Sequence, residues 1–190
     1  MESKIEGGSV LEVRLHGRGG QGAVTGAEIL AQAAIRKGLF AQAFPSFGPE
    51  RRGAPVQAFL RISKGPIRMR TKIYEPDAVI ILDATLIGSV NPKEGLKEGG
   101  FVVINTTKDG EELKRLFPGA RIAKVDASRI AGEEIGIPIT NTTMIGAFLK
   151  VYEIIGLEDV DEVVRERFGA GAERNIRAYR RAYEETVVIE

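Results

Sequence analysis

Seven residues near the start of the chain, His16-Gly17-Arg18-Gly19-Gly20-Gln21-Gly22, carry the pattern G-x-G-x-x-G at Gly17, Gly19 and Gly22. Glycines at this spacing let main-chain N–H groups approach an anion, and a helix starting directly afterwards adds the partial positive charge of its N-terminus. Arg18 sets a full cation beside the turn. The pattern predicts a phosphate or other anion here. The competing reading is that the glycines only let a helix pack closely on a strand. The common nucleotide modes fit poorly. Dinucleotide binding calls for a carboxylate about 20 residues on, at the end of the second strand. That stretch reads Phe44-Pro45-Ser46-Phe47-Gly48, with no carboxylate before Glu50. No Lys-Ser/Thr pair follows the turn, so a Walker-type phosphate loop is also missing. NAD and ATP are disfavoured.

A second cluster runs from Phe44 to Pro55. Phe44 and Phe47 in a loop expose apolar area unless a ligand or partner covers it. Arg51 and Arg52 beside them suit planar or phosphate-bearing groups. From Arg51 to Tyr74 there is no acidic residue, while Arg51, Arg52, Arg61, Lys64, Arg68, Arg70 and Lys72 are cationic. The runs Val56–Ile62 and Ile67–Ile73, joined by Ser63-Lys64-Gly65-Pro66, predict a hairpin with Arg68, Arg70 and Lys72 on one face. Edge-protecting, solvated charge is the first reading of that face. Docking onto an acidic partner subunit, or contact with a phosphorylated cofactor, is the sharper one. Nucleic acid ranks third, because the patch is short and lacks interleaved aromatics.

Three polar residues, Asp83, Asn105 and Asp126, end apolar runs, where open α/β sheets bind ligands. Such residues also cap helices, and Asp126 before Ala127-Ser128 is read as a cap, with Asp83 left open. His16, the one histidine, is expected to make a supporting hydrogen bond, since it builds no metal site alone. No Ser/His/Asp set, paired-carboxylate site or metal-ligand cluster presents itself.

The elements that must position these groups follow from periodicity. Leu11–His16 and Leu39–Phe44 read as strands flanking a helix over Val24–Lys37, a unit of the size of one parallel βαβ. Ala78–Leu82, Phe101–Ile104 and Arg121–Val125 read as further strands, and Glu111–Phe117 and Ser128–Ile135 as short helices. The chain from Thr142 on reads as helices over Thr142–Ile155, Asp159–Phe168 and Ala172–Thr186. The last carries a stripe of Ala172, Ile176, Tyr179, Tyr183 and Val187. The first is apolar nearly all round, a core helix ahead of an inter-subunit face. The fold class is α/β. It is expected as a single three-layer domain over 10–190, after a loose N-terminus over 1–9. Its sheet is mixed and mostly parallel, with a β-hairpin insertion and a helical C-terminal third.

Composition bounds the function. The 190 residues carry 27 Lys+Arg against 26 Asp+Glu, a net charge of +1, so no global field draws the chain to nucleic acid or anionic lipid. No apolar run approaches the ~18 residues of a membrane span, and Met1–Ser9 has no apolar signal core. With no cysteine and one histidine, a disulfide framework, a cysteine-ligated iron–sulfur cluster and a zinc finger are all excluded. Any redox role needs an electron carrier on another chain.

Taken together, His16–Gly22 followed by Ala43-Phe44-Pro45-Ser46-Phe47-Gly48-Pro49-Glu50-Arg51-Arg52-Gly53-Ala54-Pro55 resembles the gamma subunit of the 2-oxoacid:ferredoxin oxidoreductases, pyruvate:ferredoxin oxidoreductase nearest. The likeness extends through Pro76-Asp77 and Asn141-Thr142-Thr143-Met144 over nearly the whole chain. The resemblance implies a cytoplasmic heteromer that oxidatively decarboxylates a 2-oxo acid with coenzyme A, giving acyl-CoA, carbon dioxide and reduced ferredoxin. It implies that thiamine diphosphate, with magnesium, sits on the alpha and beta subunits and the [4Fe–4S] clusters on beta and delta. The gamma chain then takes part in assembly and supplies a share of the coenzyme A site. Carried onto this sequence, Gly17, Arg18, Gly19, Gly20, Gln21 and Gly22 form the phosphate-side turn. Phe47, Glu50, Arg51 and Arg52 form a second loop facing the active centre or a neighbour. An independent α/β nucleotide- or phosphate-binding module and a ligand-free scaffold subunit are the alternatives.

Overall fold

A computed structural model of the chain describes residues 9–46 and 52–189. The expectation of a loose segment over 1–9 therefore lies, but for Ser9, outside the described residues, as do Phe47, Glu50 and Arg51.

The elements run β1 (Val10–Arg18), α1 (Ala23–Arg36), β2 (Phe40–Pro45), β3 (Pro55–Ser63), β4 (Ala78–Ile81) and β5 (Phe101–Asn105). Then come α2 (Gly110–Leu116), β6 (Arg121–Val125), α3 (Ala127–Glu134), α4 (Thr143–Val151), α5 (Leu157–Phe168), α6 (Ala172–Glu185) and β7 (Val187–Ile189). All seven strands form one sheet in the order β2-β3-β1-β4-β5-β6-β7. β1, β4, β5 and β6 are parallel neighbours, whereas β3, its neighbour β2, and β7 pair antiparallel. The continuous apolar runs of β4 and β5 are buried throughout, because both sheet faces are covered there.

α1, α3, α4, α5 and α6 cover one face with Leu11, Val13, Leu15, Ile80 and Val103 beneath them. α2 covers the other through Leu113, packed on Val79, Ile81, Val102, Ile104 and Ile122. The expected three layers and helical C-terminal third are present. α4 is the core helix anticipated, buried at every position from Thr143 to Leu149. It approaches α6 so closely that a Cβ at Gly146 would overlap the main-chain oxygen of Tyr179. Where periodicity suggested a helix to Ile155, α4 stops at Tyr152. That residue turns extended, stacks on Phe148 and donates its hydroxyl to the oxygen of Asp77 at 2.9 Å.

Three expectations need correction. The unit β1-α1-β2 is not a hydrogen-bonded parallel pair, because β3 lies between the two strands and pairs antiparallel with each. A hairpin is present, but its arms are β2 and β3. The run Ile67–Ile73 is not a strand. Its neighbourhood is held by side chains instead of a ladder: Arg61 donates to the oxygen of Lys72, and Arg14 to those of Ile73 and Tyr74. Finally, the last helix ends at Glu185, one residue before the expected Thr186, and its stripe loses Val187. Val187 leaves α6, is half exposed, and joins β7 against β6 with Lys124 as its partner.

Candidate functional site

The site lies at the carboxyl ends of the parallel strands, where the order of connections reverses around β1. The first part of the glycine motif belongs to the strand itself. Gly17 pairs with Val56 and Arg18 with Pro55 in the β1–β3 ladder. The turn proper begins at Gly19, which forms a bridge to Arg52: its N–H donates to Ala54 at 2.9 Å, and its oxygen accepts from Gly53 at 3.1 Å. Thus the structure brings together the glycine turn and the second half of the arginine loop, far apart in sequence. It describes Arg52 as exposed, with no ion pair among the described residues.

The glycines divide by role. Gly22, at φ +80°, precedes α1, and a Cβ there would collide with the side-chain amide of Asn141. A Cβ at Gly17 would press on Leu82 at 3.2 Å. These two serve close packing. A Cβ at Gly20, at φ +95°, or at Gly53, at φ +80°, would meet nothing within 4 Å, so among the described residues the space over the Gly19–Gly20 corner is open.

Arg18 and Gln21 turn inward. The N–H of Arg18 donates to Gln21 Oε1 at 2.7 Å, and Gln21 Nε2 donates to Asp83 Oδ2 at 2.9 Å. Arg18 Nε reaches the same carboxylate oxygen at 3.1 Å, while its other nitrogens donate to the oxygen of Gly53 and to Thr85 Oγ1. Burial disfavours the charged form of Asp83, but hydrogen bonds from Thr85 and Gln21 and the charge of Arg18 outweigh it, so its carboxyl is held below the usual range.

Beside this cluster opens a crevice of about 380 Å³, walled by Gln21, Asp83, Thr85, Asn105, Ser128 and Thr140 among others. Asn105 ties its floor, donating to the oxygen of Leu82 and to Ser128 Oγ, both at 2.9 Å. Asp126 is the helix cap expected, accepting from the N–H of Arg129 at 3.0 Å. Thr85, Ser128, Thr140 and Asn141 were missed by sequence reasoning. They are ordinary residues of separate segments, Ser128 in the first turn of α3, and only the Asn141 string carried any signal. His16 departs from expectation: its buried Nε2 has no hydrogen-bond partner among the described residues. Burial, then the charge of Arg14, lowers its pKa to about 3, so the ring is neutral.

Among the described residues, a phosphate has room at the corner over Gly20 and Gly53 beside the exposed guanidinium of Arg52. It does not fit the crevice, where Asp83 and Asp126 would repel it. Hydroxyls and amides there suit neutral polar groups.

An open α/β sheet with a loop-built site at its strand ends defines a broad class, and comparison narrows it. Residues 12–185 match the family Pyruvate ferredoxin/flavodoxin oxidoreductase, and the chain belongs to that family. It is 52% identical over 184 residues, 95% of this chain and 100% of the other, to the pyruvate/ketoisovalerate oxidoreductases common subunit gamma of Thermococcus litoralis. The pyruvate synthase subunit PorC of Methanocaldococcus jannaschii is 52% identical over 93% of this chain and 97% of its own. The crystal structure of pyruvate oxidoreductase subunit PORC from Thermotoga maritima superposes with a TM-score of 0.86 at 39% identity, covering 95% and 99% of the two chains. The resemblance read from the glycine and arginine motifs holds: this is a gamma-type subunit of an oxidoreductase complex. Among the described residues no helix is long and apolar enough to cross a membrane.

Proposed function

We propose that the chain serves a thiamine-diphosphate-dependent pyruvate:ferredoxin oxidoreductase of the cytoplasm, assembled with alpha, beta and delta subunits. The complex converts a 2-oxo acid and coenzyme A to acyl-CoA and carbon dioxide and passes the electrons to ferredoxin. The clusters and the thiamine diphosphate with its magnesium belong to the partners, in keeping with a chain that has no cysteine to offer iron.

This chain's own part is assembly and one side of the coenzyme A site. The observation that carries the reading is the Gly19–Arg52 bridge, which fastens the arginine loop to the glycine turn. A phosphate of coenzyme A over Gly20 and Gly53 would accept charge-assisted hydrogen bonds from Arg52, with Arg51 of the same loop as its companion. Arg18 holds the corner's shape from below through Gly53, and pairs with the ligand only by leaving Asp83. Coenzyme A supplies the thiol that accepts the acyl group, and the residues here bind and orient it.

One observation favours a scaffold without ligand contact: the turn's own side chains, Arg18 and Gln21, already converge on Asp83. The two readings separate on kinetics of the assembled enzyme. The site reading expects Arg18→Ala, Arg51→Ala and Arg52→Ala to raise KM for coenzyme A. Loss of assembly alone would leave the scaffold.

A further inference from the structure

We propose that the strap from Lys64 to Tyr74 is a preorganised docking element for an acidic surface on a companion subunit, an inference that rests on the heteromeric reading above. The strap belongs to no strand, yet buried groups fix it. Gln42 Nε2 donates to the oxygen of Ile67 at 3.2 Å, Arg61 reaches that of Lys72, and Arg14 those of Ile73 and Tyr74. Ile73 is the apolar peg, 2% exposed. Arg61 is itself buried at 1%, held by Glu12 at 2.8 Å and lying over the Phe44 ring. Two buried guanidiniums thus reach main-chain oxygens of this segment at 3.5 Å, while Arg14 also ties it to the oxygen of Pro92 at 3.0 Å, and the segment's charged side chains stay outside.

Those side chains are Lys64, Arg68, Arg70 and Lys72, all exposed and all without an ion pair among the described residues. The helical face differs. Arg36, Arg165, Arg167, Arg177 and Arg181 on the helical face each pair with a glutamate. In a chain of net charge +1, four cations without an ion pair among the described residues make this strap a local positive patch. Between and beside them stand Met69, 44% exposed, and Tyr74, 71% exposed, residue types that anchor protein interfaces.

Charge decides the occupant. A surface with no acid from Arg52 to Tyr74 is complementary to carboxylates, and its fixed backbone lowers the ordering cost of association. A single aromatic beside the stripe does not make a stacking platform for nucleic acid.

The test uses the co-expressed oxidoreductase. Arg68→Glu/Arg70→Glu in this chain is compared with Lys114→Glu/Arg115→Glu, an equal charge change on exposed α2. The strap variant is expected to melt like the parent but to enter the complex about tenfold less at physiological salt, with the α2 variant incorporated normally. The milder Arg68→Gln/Arg70→Gln is expected to enter the complex and to be released at lower salt than the parent. Equal incorporation and equal salt release of strap and α2 variants would overturn the proposal. So would a defect confined to self-association of this chain or to retained nucleic acid. A parent chain that joins no companion at all removes the oxidoreductase reading itself, a result distinct from a parent that assembles and a strap variant that does so equally well.

Discussion

Arg18 Nε lies 3.1 Å from Asp83 Oδ2, so the one cation inside the glycine motif is already opposed by a carboxylate from the next parallel strand. The pair is partly exposed, and its direct worth is modest. Its larger effect is geometric, since Asp83 also accepts from Gln21 and Thr85 and so fixes both ends of the turn. Asp83→Asn is expected to cost about 1 kcal/mol at pH 7, measured by urea denaturation. The folded carboxyl sits below its ordinary value. Its stabilisation is therefore present above about pH 4 and is lost as pH falls through the lower folded pKa. The gap between parent and variant should close in strongly acidic solution.

His16 works in the same direction over a higher pH range. Its pKa of about 3 in the folded chain lies below that of an exposed imidazole, so between pH 6.5 and 3 the unfolded chain binds the extra proton. Stability is expected to fall as pH drops below about 6.5, by up to about 1.4 kcal/mol per pH unit from this residue. His16→Leu should flatten that slope. It should cost little at pH 7, because Nε2 gives up no hydrogen bond. Denaturation midpoints across this range decide the matter, and an unchanged slope would contradict it.

The seam between α4 and α6 gives a packing prediction. Gly146→Ala puts a methyl group into the main chain of Tyr179, where neither helix has a side chain to move aside. A loss of about 3 kcal/mol or more is expected. Gly132→Ala, in α3 with open space around it, should be neutral or stabilising by about 0.5 kcal/mol. Thermal unfolding of both variants separates close approach from a general intolerance of alanine.

Much of the fold was legible because short apolar runs, each closed by Asp83, Asn105 or Asp126, have few other ways to be buried. What misled was periodicity shared by different structures. Arg68, Arg70 and Lys72 alternate whether or not a partner strand lies beside them, and Arg14, which reaches that segment's oxygens, is 59 residues from Ile73. Val187 keeps the helical phase of Tyr179 and Tyr183 although the chain has already turned to pair with β6. The insertion of β3 between β1 and β2 is a choice of long-range partner that no local pattern encodes. The site shows the same division. Glycine spacing marked the turn, although Gly17 and Arg18 still belong to β1 and the turn begins at Gly19. Yet the sorting of Gly22 to packing and Gly20 to open space depends on where Asn141 arrives, and that is a tertiary fact.

The most direct test is the KM for coenzyme A of the assembled oxidoreductase carrying Arg52→Ala in this chain, with subunit composition checked in the same preparation. The Gly19–Arg52 corner predicts a rise of about tenfold with kcat nearly unchanged and all subunits retained, as expected for a lost phosphate contact. An unaltered KM in a fully assembled enzyme would contradict a coenzyme A contact at this corner.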